Sequence, residues 1–353
     1  ARGSRSHIGI TNSLYALIEQ LPKTGTLLSI FHKNTTPLFS YLPNVFEPEL
    51  KRLPPDTQPP SCIHTFSVVS PKARTLPWVL TIYDTIAEYH PEVLPEVFPR
   101  LTLETAALLQ KTMRSIANQA DRIIAPTQNT KKDLISLYGI PEKTISVIPV
   151  APLPLFSKMS ETEKTQFKKE NKLEQPYILF VGPRWSYKNF ELLLQAFQIF
   201  KAKHPSQIRL MAIGGAAKLS EKEQTIAKKN DLQGSIDLVP YVTADELRGW
   251  YSCATALVYP SRYEGFGLPP LEAMACATPV LAANTSSLPE VIGNAGLFFE
   301  PDNPTELAEL LEKIVYDIPL RSKLIETGLI HVQNFSWEKI AQETIRTYEK
   351  IAQ

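Results

Sequence analysis

The sequence predicts an α/β fold of two domains, each built on a parallel sheet with helices on both faces. Short apolar runs typical of strands alternate with amphipathic helical runs. The alternation stops at the proline-containing stretch "APLPLFSKMS" and then restarts. The length, 353 residues, is also more than one compact domain usually holds. We therefore expect two Rossmann-like domains, residues 1–152 and 153–335, facing each other across a cleft. A last helix, 336–353, is expected to pack back on the first domain.

The first domain has the elements of a sheet covered by helices. Its predicted strands are "TLLSIF", "SCIHTFSVV", "WVLTIYD", "DRIIAPT" and "TISVIPV". Its predicted helices are "SLYALIEQL" (13–21), residues 100–120 and "TKKDLISLYG", which Gly139 should end. Seven prolines between residues 37 and 60 exclude a long helix or a central strand there, so this segment is interpreted as an ordered surface loop.

The second domain repeats the alternation. "PYILFVGPRWSYKNFELLLQAFQIF" predicts strand, loop and helix, and "IDLVPYVTADELRGWYS" predicts the same order. Further strands are expected in "RLMAIGG", "ATALVYPS", "PVLAAN" and "GLFFEP". Ligands of open parallel sheets bind beyond the carboxyl ends of the strands, so the loops that follow strands are expected to carry the function.

Composition excludes several classes of protein. Lys plus Arg is 37 and Asp plus Glu is 36, so no basic excess indicates a nucleic-acid partner. Three widely spaced cysteines and six histidines without ligand spacing favour neither disulfides nor a metal site, and a cytoplasmic setting is expected. The longest apolar runs are far below the roughly 20 residues that span a bilayer, and no signal peptide is found. A slight basic excess in the first domain permits peripheral contact with an anionic membrane surface.

The stretch "SRYEGFGLPPLEAMACATPV" places Glu264 and Glu272 eight positions apart. A strand should end at Tyr259–Pro260 and a helix should begin near Pro269–Pro270, where proline suits the first turn. Exposed amides at such a helix start bind anions or hydroxyl-rich groups. Glu272 is expected within the first turn, where the helix dipole keeps it ionised, and could hold a vicinal diol such as a ribose. The alternative is an ordinary helix start with one favourable and one solvated glutamate.

Other loops after strands carry candidate polar residues. In "VGPRWSYKN", Arg184 and Lys188 could reach one anionic group, although two solvated cations would give the same pattern. Asp84 in "TIYDTI" ends a strand and is either a cleft residue or the N-cap of the next segment. Gly3 and Gly9 precede the first helix, which is a weak indication of a phosphate- or sugar-approaching loop.

Together these stretches resemble the retaining glycosyltransferases of the glycogen-synthase-like group (glycosyltransferase family 4, GT-B fold). "EGFGLPPLE" carries the E-x7-E motif of that family, and "FVGPRWSYKNFELLLQAF" looks like its phosphate-binding loop. "PYVTADELRGWYSCATALVYPS" and "HVQNFSWEKIAQETIRTYEKI" agree in order and spacing. The resemblance is dense over residues 177–345 and looser over 1–150.

The resemblance implies a role for each site residue. Arg184 and Lys188 would hold the donor diphosphate and neutralise it as it leaves, so neither a metal ion nor another cofactor is expected. Glu272 would bind the ribose hydroxyls. Glu264 would face the donor sugar, and Asp84 would join these residues in catalysis. The remaining donor contacts are assigned to Gly265, Phe266, Gly267, Leu268, Gly9, Tyr83 and Tyr241.

The sequence also departs from the family pattern. Pro183 stands where many members have arginine, and Tyr83 stands where a histidine often precedes the aspartate. "PVA" replaces the usual "PNG" at 149–151. The first strand of the N-terminal sheet is not found before "ARGSRSHIG", so further residues are expected to precede Ala1.

The resemblance implies retaining transfer of a hexosyl unit from a UDP- or GDP-sugar to an acceptor hydroxyl. The acceptor would be a carbohydrate or lipid-linked glycan of bacterial cell-surface polysaccharide or glycolipid synthesis, bound by the first domain. Two alternatives remain. A nucleotide-sugar epimerase on the same fold would need a group placed for proton abstraction. A non-catalytic nucleotide-sugar-binding protein is favoured only by Tyr83.

Overall fold

The computed structural model describes Leu17 and residues 62–66, 76–97, 102–205, 207–229 and 232–352. The chain divides into two compact units, residues 1–151 with 335–353, and residues 152–334. Gly9, the predicted strand "TLLSIF" and the segment 37–60 predicted to be a loop lie outside the described residues, as does most of the predicted helix 13–21.

The strands, numbered along the described chain, are β1 Ile63–Thr65, β2 Trp78–Thr81, β3 Arg122–Ala125, β4 Ile145–Val147, β5 Tyr177–Val181, β6 Arg209–Ile213, β7 Ile236–Val239, β8 Ala256–Tyr259, β9 Val280–Ala283 and β10 Leu297–Phe299. The helices are α1 Ile86–Tyr89, α2 Val93–Val97, α3 Leu103–Ala117, α4 Gln128–Tyr138, α5 Glu161–Glu170, α6 Phe190–Lys203, α7 Glu221–Lys229, α8 Ala244–Cys253, α9 Leu268–Ala275, α10 Leu288–Ile292, α11 Pro304–Tyr316, α12 Ile318–His331 and α13 Trp337–Ala352.

The first unit contains a parallel sheet in the order β1-β2-β3-β4. Its apolar strand residues form a core with α4, in which Trp78, Leu80 and Leu134 are fully buried. Local signals set the ends of α4. Thr127 caps its N-terminus, and Gly139 ends it in the left-handed conformation at φ 69°, as the sequence predicted.

Helix α13 belongs to the first unit although it is the last element of the chain. Tyr348 on α13 hydrogen-bonds His64 Nδ1 on β1 at 2.7 Å, and the other ring nitrogen of His64 lies 2.8 Å from Thr81 Oγ1. Burial lowers the pKa of His64 to about 3, so the imidazole is neutral in this network.

The second unit contains a six-stranded parallel sheet in the order β10-β9-β8-β5-β6-β7. Strands β6 and β7 follow β5 on one side of it. The chain then crosses to the other side of β5, where β8, β9 and β10 lie in that order. The order therefore reverses between β5 and β8, which pair directly through Ile178 and Ala256. Such a switch point is where doubly wound sheets bind ligands, beyond the carboxyl ends of the strands.

The predicted class is confirmed, since each unit has a Rossmann-like arrangement of parallel strands and helices. The four central strands of the second sheet, β5, β6, β8 and β9, are almost entirely buried, as expected of strands covered on both faces, whereas the edge strands β7 and β10 are mostly half-buried. Among the helices that the structure describes, none is both long and apolar enough to cross a bilayer.

Candidate functional site

The candidate site lies where β5 and β8 end. Lys188 closes a 3-10 turn, Ser186–Lys188, in the loop after β5, and Glu264 lies in the loop after β8. Lys188 Nζ donates to Glu264 Oε1 at 2.5 Å and to the Tyr259 hydroxyl at 2.8 Å. The ammonium also lies over two aromatic rings at similar distances, 5.1 Å from the centroid of Tyr187 and 4.9 Å from that of Tyr259.

This ion pair is withdrawn from water, because each of the two side chains is only 9% exposed. Burying two charges is costly unless attraction and further hydrogen bonds compensate. Here the Tyr259 hydroxyl supplies a second acceptor for the ammonium, and the two ring faces attract it. The alternative of a solvated Glu264 is therefore wrong.

Two serines that the sequence analysis did not single out hold the turn after Glu264. Ser286 Oγ accepts from the Glu264 backbone N–H at 2.9 Å. Ser287 Oγ lies 2.9 Å from the carbonyl oxygens of both Glu264 and Phe266 and is fully buried. The available signal was their position in "AANTSSLPE", directly after β9, because β9 ends at the same edge of the sheet as β8.

Gly267 and two prolines define the start of α9. Gly267 has φ 96°, and a Cβ built on it would lie 2.8 Å from Leu288 Cδ2, so both conformation and space require glycine. The helix begins at Leu268, close to the predicted Pro269–Pro270. Because proline has no N–H, Leu268 carries the only backbone donor among the first three helical residues.

The expectation for Glu272 is wrong in two respects. It is the fifth residue of α9 and lies outside the first turn, which contains no acidic residue. Burial raises the pKa of its carboxyl to about 7, so the helix dipole does not keep it fully ionised at neutral pH. Its Oε2 accepts from the Tyr251 hydroxyl at 2.9 Å, a bond that acts on the pKa in the opposite, lowering direction.

Arg184 has an anionic partner of its own. Its Nε donates to Glu223 Oε1 at 3.0 Å, and its terminal nitrogens donate to the carbonyls of Ala216 and Lys218 at 3.0 and 2.6 Å. Both charged side chains of the pair are only 5% exposed, so the alternative of a solvated arginine is wrong. A Cβ on Gly215 would lie 2.7 Å from Arg184 Nη1, which explains the second glycine of "IGG". The common diphosphate contact of Arg184 and Lys188 stays a prediction.

The other predicted residues lie in different settings. Asp84 precedes Thr85, the N-cap of α1, and its Oδ1 accepts from the Ile86 N–H at 3.0 Å. The side chain therefore supports this helix start without being its N-cap, and its role as a cleft residue stays a prediction. Burial raises the pKa of the adjacent Tyr83 phenol above its usual range. Tyr241 is partly buried in the segment between β7 and α8. Gly9 lies outside the described residues.

Cys62, Cys253 and Cys276 are free thiols. Within the described residues, no three His, Cys, Asp or Glu side chains are grouped as metal ligands.

Comparisons with known proteins identify the family of this chain. Residues 27–151 match the family described as Glycosyltransferase Family 4, and residues 161–331 match Glycosyl transferases group 1. This chain belongs to glycosyltransferase family 4. The second match covers the segments that contain Lys188, Glu264 and Glu272.

One curated relative of this glycosyltransferase is the O-antigen chain mannosyltransferase B of Escherichia coli. The two are 29% identical over 276 residues, which are 77% of this chain and 70% of the relative. A D-inositol 3-phosphate glycosyltransferase of Corynebacterium jeikeium is 30% identical over 67% of this chain, but the match spans only 59% of that relative.

Solved structures show the fold of this glycosyltransferase. WaaG, a glycosyltransferase involved in lipopolysaccharide biosynthesis, superposes with a TM-score of 0.70 at 13% identity, covering 97% of this chain and 96% of WaaG. HepE of Anabaena, solved in complex with UDP-glucose, gives a TM-score of 0.64 at 18% identity, covering 78% of this chain and 72% of HepE. The GT-B fold predicted from the sequence is confirmed.

Proposed function

We propose that this glycosyltransferase moves a hexosyl unit from a UDP- or GDP-sugar to an acceptor hydroxyl with retention and without a metal ion. The observation that carries the proposal is the buried Lys188–Glu264 pair at the switch point of the second sheet, beside the N-terminus of α9. The UDP-glucose complex of HepE supports the class of donor, on the basis of the shared fold.

The donor diphosphate is assigned to Lys188 and the start of α9. As the bond from the sugar C1 to the phosphate oxygen breaks, the electron pair leaves with the diphosphate, whose negative charge increases. An ammonium and a helix N-terminus stabilise such charge when they are already in place. Lys188 is held by Glu264 and Tyr259 before any donor arrives, so the ammonium is already in place.

Glu264 is assigned to the sugar. Its carboxylate stabilises the positive charge that develops on the sugar ring as the leaving group departs. The acceptor oxygen then bonds to C1, and its proton passes to the departing diphosphate, so the transfer needs no other co-reactant. Because Lys188 is the partner of Glu264 in the free enzyme, an arriving diphosphate competes with this carboxylate for the ammonium.

Glu272 and Arg184 complete the proposed donor site. Glu272 accepts from the ribose hydroxyls through the carboxyl oxygen that Tyr251 does not occupy. Arg184 has five N–H donors, of which Glu223 and the two carbonyls use three. The two remaining N–H groups are those that a diphosphate can use.

The acceptor is proposed to be a carbohydrate or lipid-linked glycan of bacterial cell-surface polysaccharide synthesis. The names of the Escherichia coli mannosyltransferase and of WaaG support this class. We assign acceptor binding to the first domain and place the reaction in the cytoplasm. With a lipid-linked acceptor, the slight basic excess of this domain would suit the anionic inner face of the membrane.

The test begins with thermal unfolding in UDP-, GDP- and dTDP-sugars. The correct donor at about 100 times its dissociation constant should add about 2.7 kcal/mol to the free energy of unfolding. Transfer with that donor should survive a chelator, and anomeric analysis of the product should show retention. Lys188→Ala should abolish most transfer, whereas Lys203→Ala, at an exposed position on α6, should leave it unchanged. Absence of both stabilisation and transfer across the panel would refute the proposal, and inhibition by the chelator would refute its metal-free form.

A further inference from the structure

Tyr251 on α8 lies against Glu272 on α9, with its hydroxyl 2.9 Å from Oε2. The tyrosine is fully buried, so water does not compete with the Glu272 carboxyl for its hydroxyl. α8 begins at a capping box, in which Thr243 and Glu246 satisfy each other's backbone N–H, so the helix that carries the phenol is well defined.

The phenol is also fixed at its ring and backbone. The ring packs edge-on against Phe156, with centroids 5.9 Å apart. The Tyr251 carbonyl accepts from the buried Thr278 hydroxyl at 2.6 Å, which ties α8 to the turn after α9. These contacts hold the hydroxyl in place for its hydrogen bond to the Glu272 carboxyl.

We propose that Tyr251 is a positioning residue for nucleotide recognition: its hydroxyl fixes one oxygen of Glu272 and leaves the other to accept from the ribose hydroxyls. This inference rests on the proposed function, since it needs Glu272 to bind a nucleotide. Tyr251 acts through Glu272, and neither the diphosphate nor the sugar is assigned to it.

Tyr251 also affects the ionisation of Glu272. The other titratable groups near the pair are Tyr259 at the end of β8 and Cys276 after α9, both of which burial keeps uncharged near neutral pH. Arg248, also near Cys276, is bound to the Ser157 carbonyl and to Glu163. In the described part of the chain, the Tyr251 bond is therefore the side-chain interaction that favours the ionised form of Glu272.

A charged carboxylate accepts stronger hydrogen bonds from hydroxyls than a neutral carboxyl does. Nucleotide affinity should therefore rise with pH through the pKa of Glu272, which is about 7 in the free protein. Removing the Tyr251 hydroxyl removes a bond that lowers this pKa, so the midpoint of the affinity profile should move to higher pH.

The experiment is calorimetry of UDP and GDP with the wild-type chain, Tyr251→Phe and Glu272→Ala between pH 6 and 9. Tyr251→Phe should weaken nucleotide binding at pH 7 by roughly tenfold, with a smaller loss at pH 9. In transfer assays its donor KM should rise while kcat stays unchanged.

Tyr177→Phe is the matched control, because it also removes a buried tyrosine hydroxyl that bonds to α8, through the Trp250 carbonyl at 2.6 Å. It should leave nucleotide affinity unchanged. A double-mutant cycle gives a second reading: in the Glu272→Ala background, Tyr251→Phe should cost no further affinity.

The inference is overturned if Tyr251→Phe keeps wild-type affinity and pH profile, if its loss is the same at pH 7 and pH 9, or if Tyr177→Phe loses as much. It is also overturned if the double variant Tyr251→Phe/Glu272→Ala loses as much nucleotide affinity as the two single variants lose together. Failure of the proposed function has a different signature, because then the wild-type chain binds neither nucleotide.

Discussion

Removing the carboxylate of Glu264 should leave the Lys188 ammonium buried without its counter-charge. The ammonium donates to Glu264 at 2.5 Å and to the Tyr259 hydroxyl at 2.8 Å, and both side chains of the ion pair are more than nine-tenths buried. Breaking a buried pair by removing one partner typically costs about 3–5 kcal/mol, because the other charge is stranded. We therefore expect Glu264→Ala to lower the free energy of unfolding by about that amount, and Lys188→Ala to do the same.

The assay is urea unfolding of the single variants and of the double variant Lys188→Ala/Glu264→Ala. The double variant removes both charges, so its loss should be well below the sum of the two single losses. Lys164→Ala is the control, since its partner Glu161 is on the surface and little change is expected. Additive losses, or single losses below about 1 kcal/mol, would show that the pair does not carry the energy assigned to it.

The same variants test the proposed role in catalysis. In Glu264→Ala the diphosphate no longer competes with a carboxylate for Lys188, so bare UDP or GDP should bind at least as well as to the wild-type chain. Transfer should nevertheless fall sharply, since the group assigned to the sugar is missing. Loss of bare-nucleotide affinity in Glu264→Ala, with affinity retained in Glu272→Ala, would show that the donor lies in the opposite orientation.

The remaining predictions concern the rest of the site. Arg184→Ala and Glu223→Ala should each lower the melting temperature, and Arg184→Lys should not restore it, because lysine cannot form the same three directed bonds. Gly267→Ala should lower both stability and donor affinity, whereas Gly139→Ala, also at positive φ but in open space, should lower stability by about 1 kcal/mol and leave donor binding intact. Because burial raises the pKa of Glu272 to about 7 from 4.5, its contribution to stability is present below pH 4.5 and is lost as pH rises through 7. Urea unfolding should therefore show a free energy of unfolding that declines between pH 5 and 8.5, and Glu272→Gln should make this decline smaller. If the variant declines with pH as steeply as the wild-type chain, Glu272 is not the cause.

The sequence was sufficient for the fold because parallel strands buried on both faces are near-continuous apolar runs, which "YILFV" and "ALVY" show plainly. It also predicted which loops lie at the switch point of the second sheet, since the strands that precede these loops could be recognised. Helix ends with strong local signals could also be predicted, as Thr127 and Gly139 at the two ends of α4 show.

The sequence did not reveal which side chains meet. Glu223 lies 39 residues from Arg184, in a segment with no motif, and no local pattern links Tyr251 to Glu272. The ionisation of Glu272 was misjudged for the same reason: a helix dipole can be inferred locally, but burial depends on the packing of α8 and α9. Ser286 and Ser287 were overlooked because serines after a strand are common in ordinary loops.

Lys188 and Glu264 are 76 residues apart in the chain although their strands are neighbours in the sheet. During synthesis at about 5–20 residues per second, roughly 4 to 15 s therefore pass between the appearance of the lysine and that of its carboxylate. In that interval β5, β6 and β7 can already pair, but the ammonium must stay in water, because burying it alone is too costly. The loop after β5 can thus adopt its native form only once β8 has joined the sheet. A nascent chain that ends before β8 has three of the six strands of the second sheet, while its loop after β5 is still unformed.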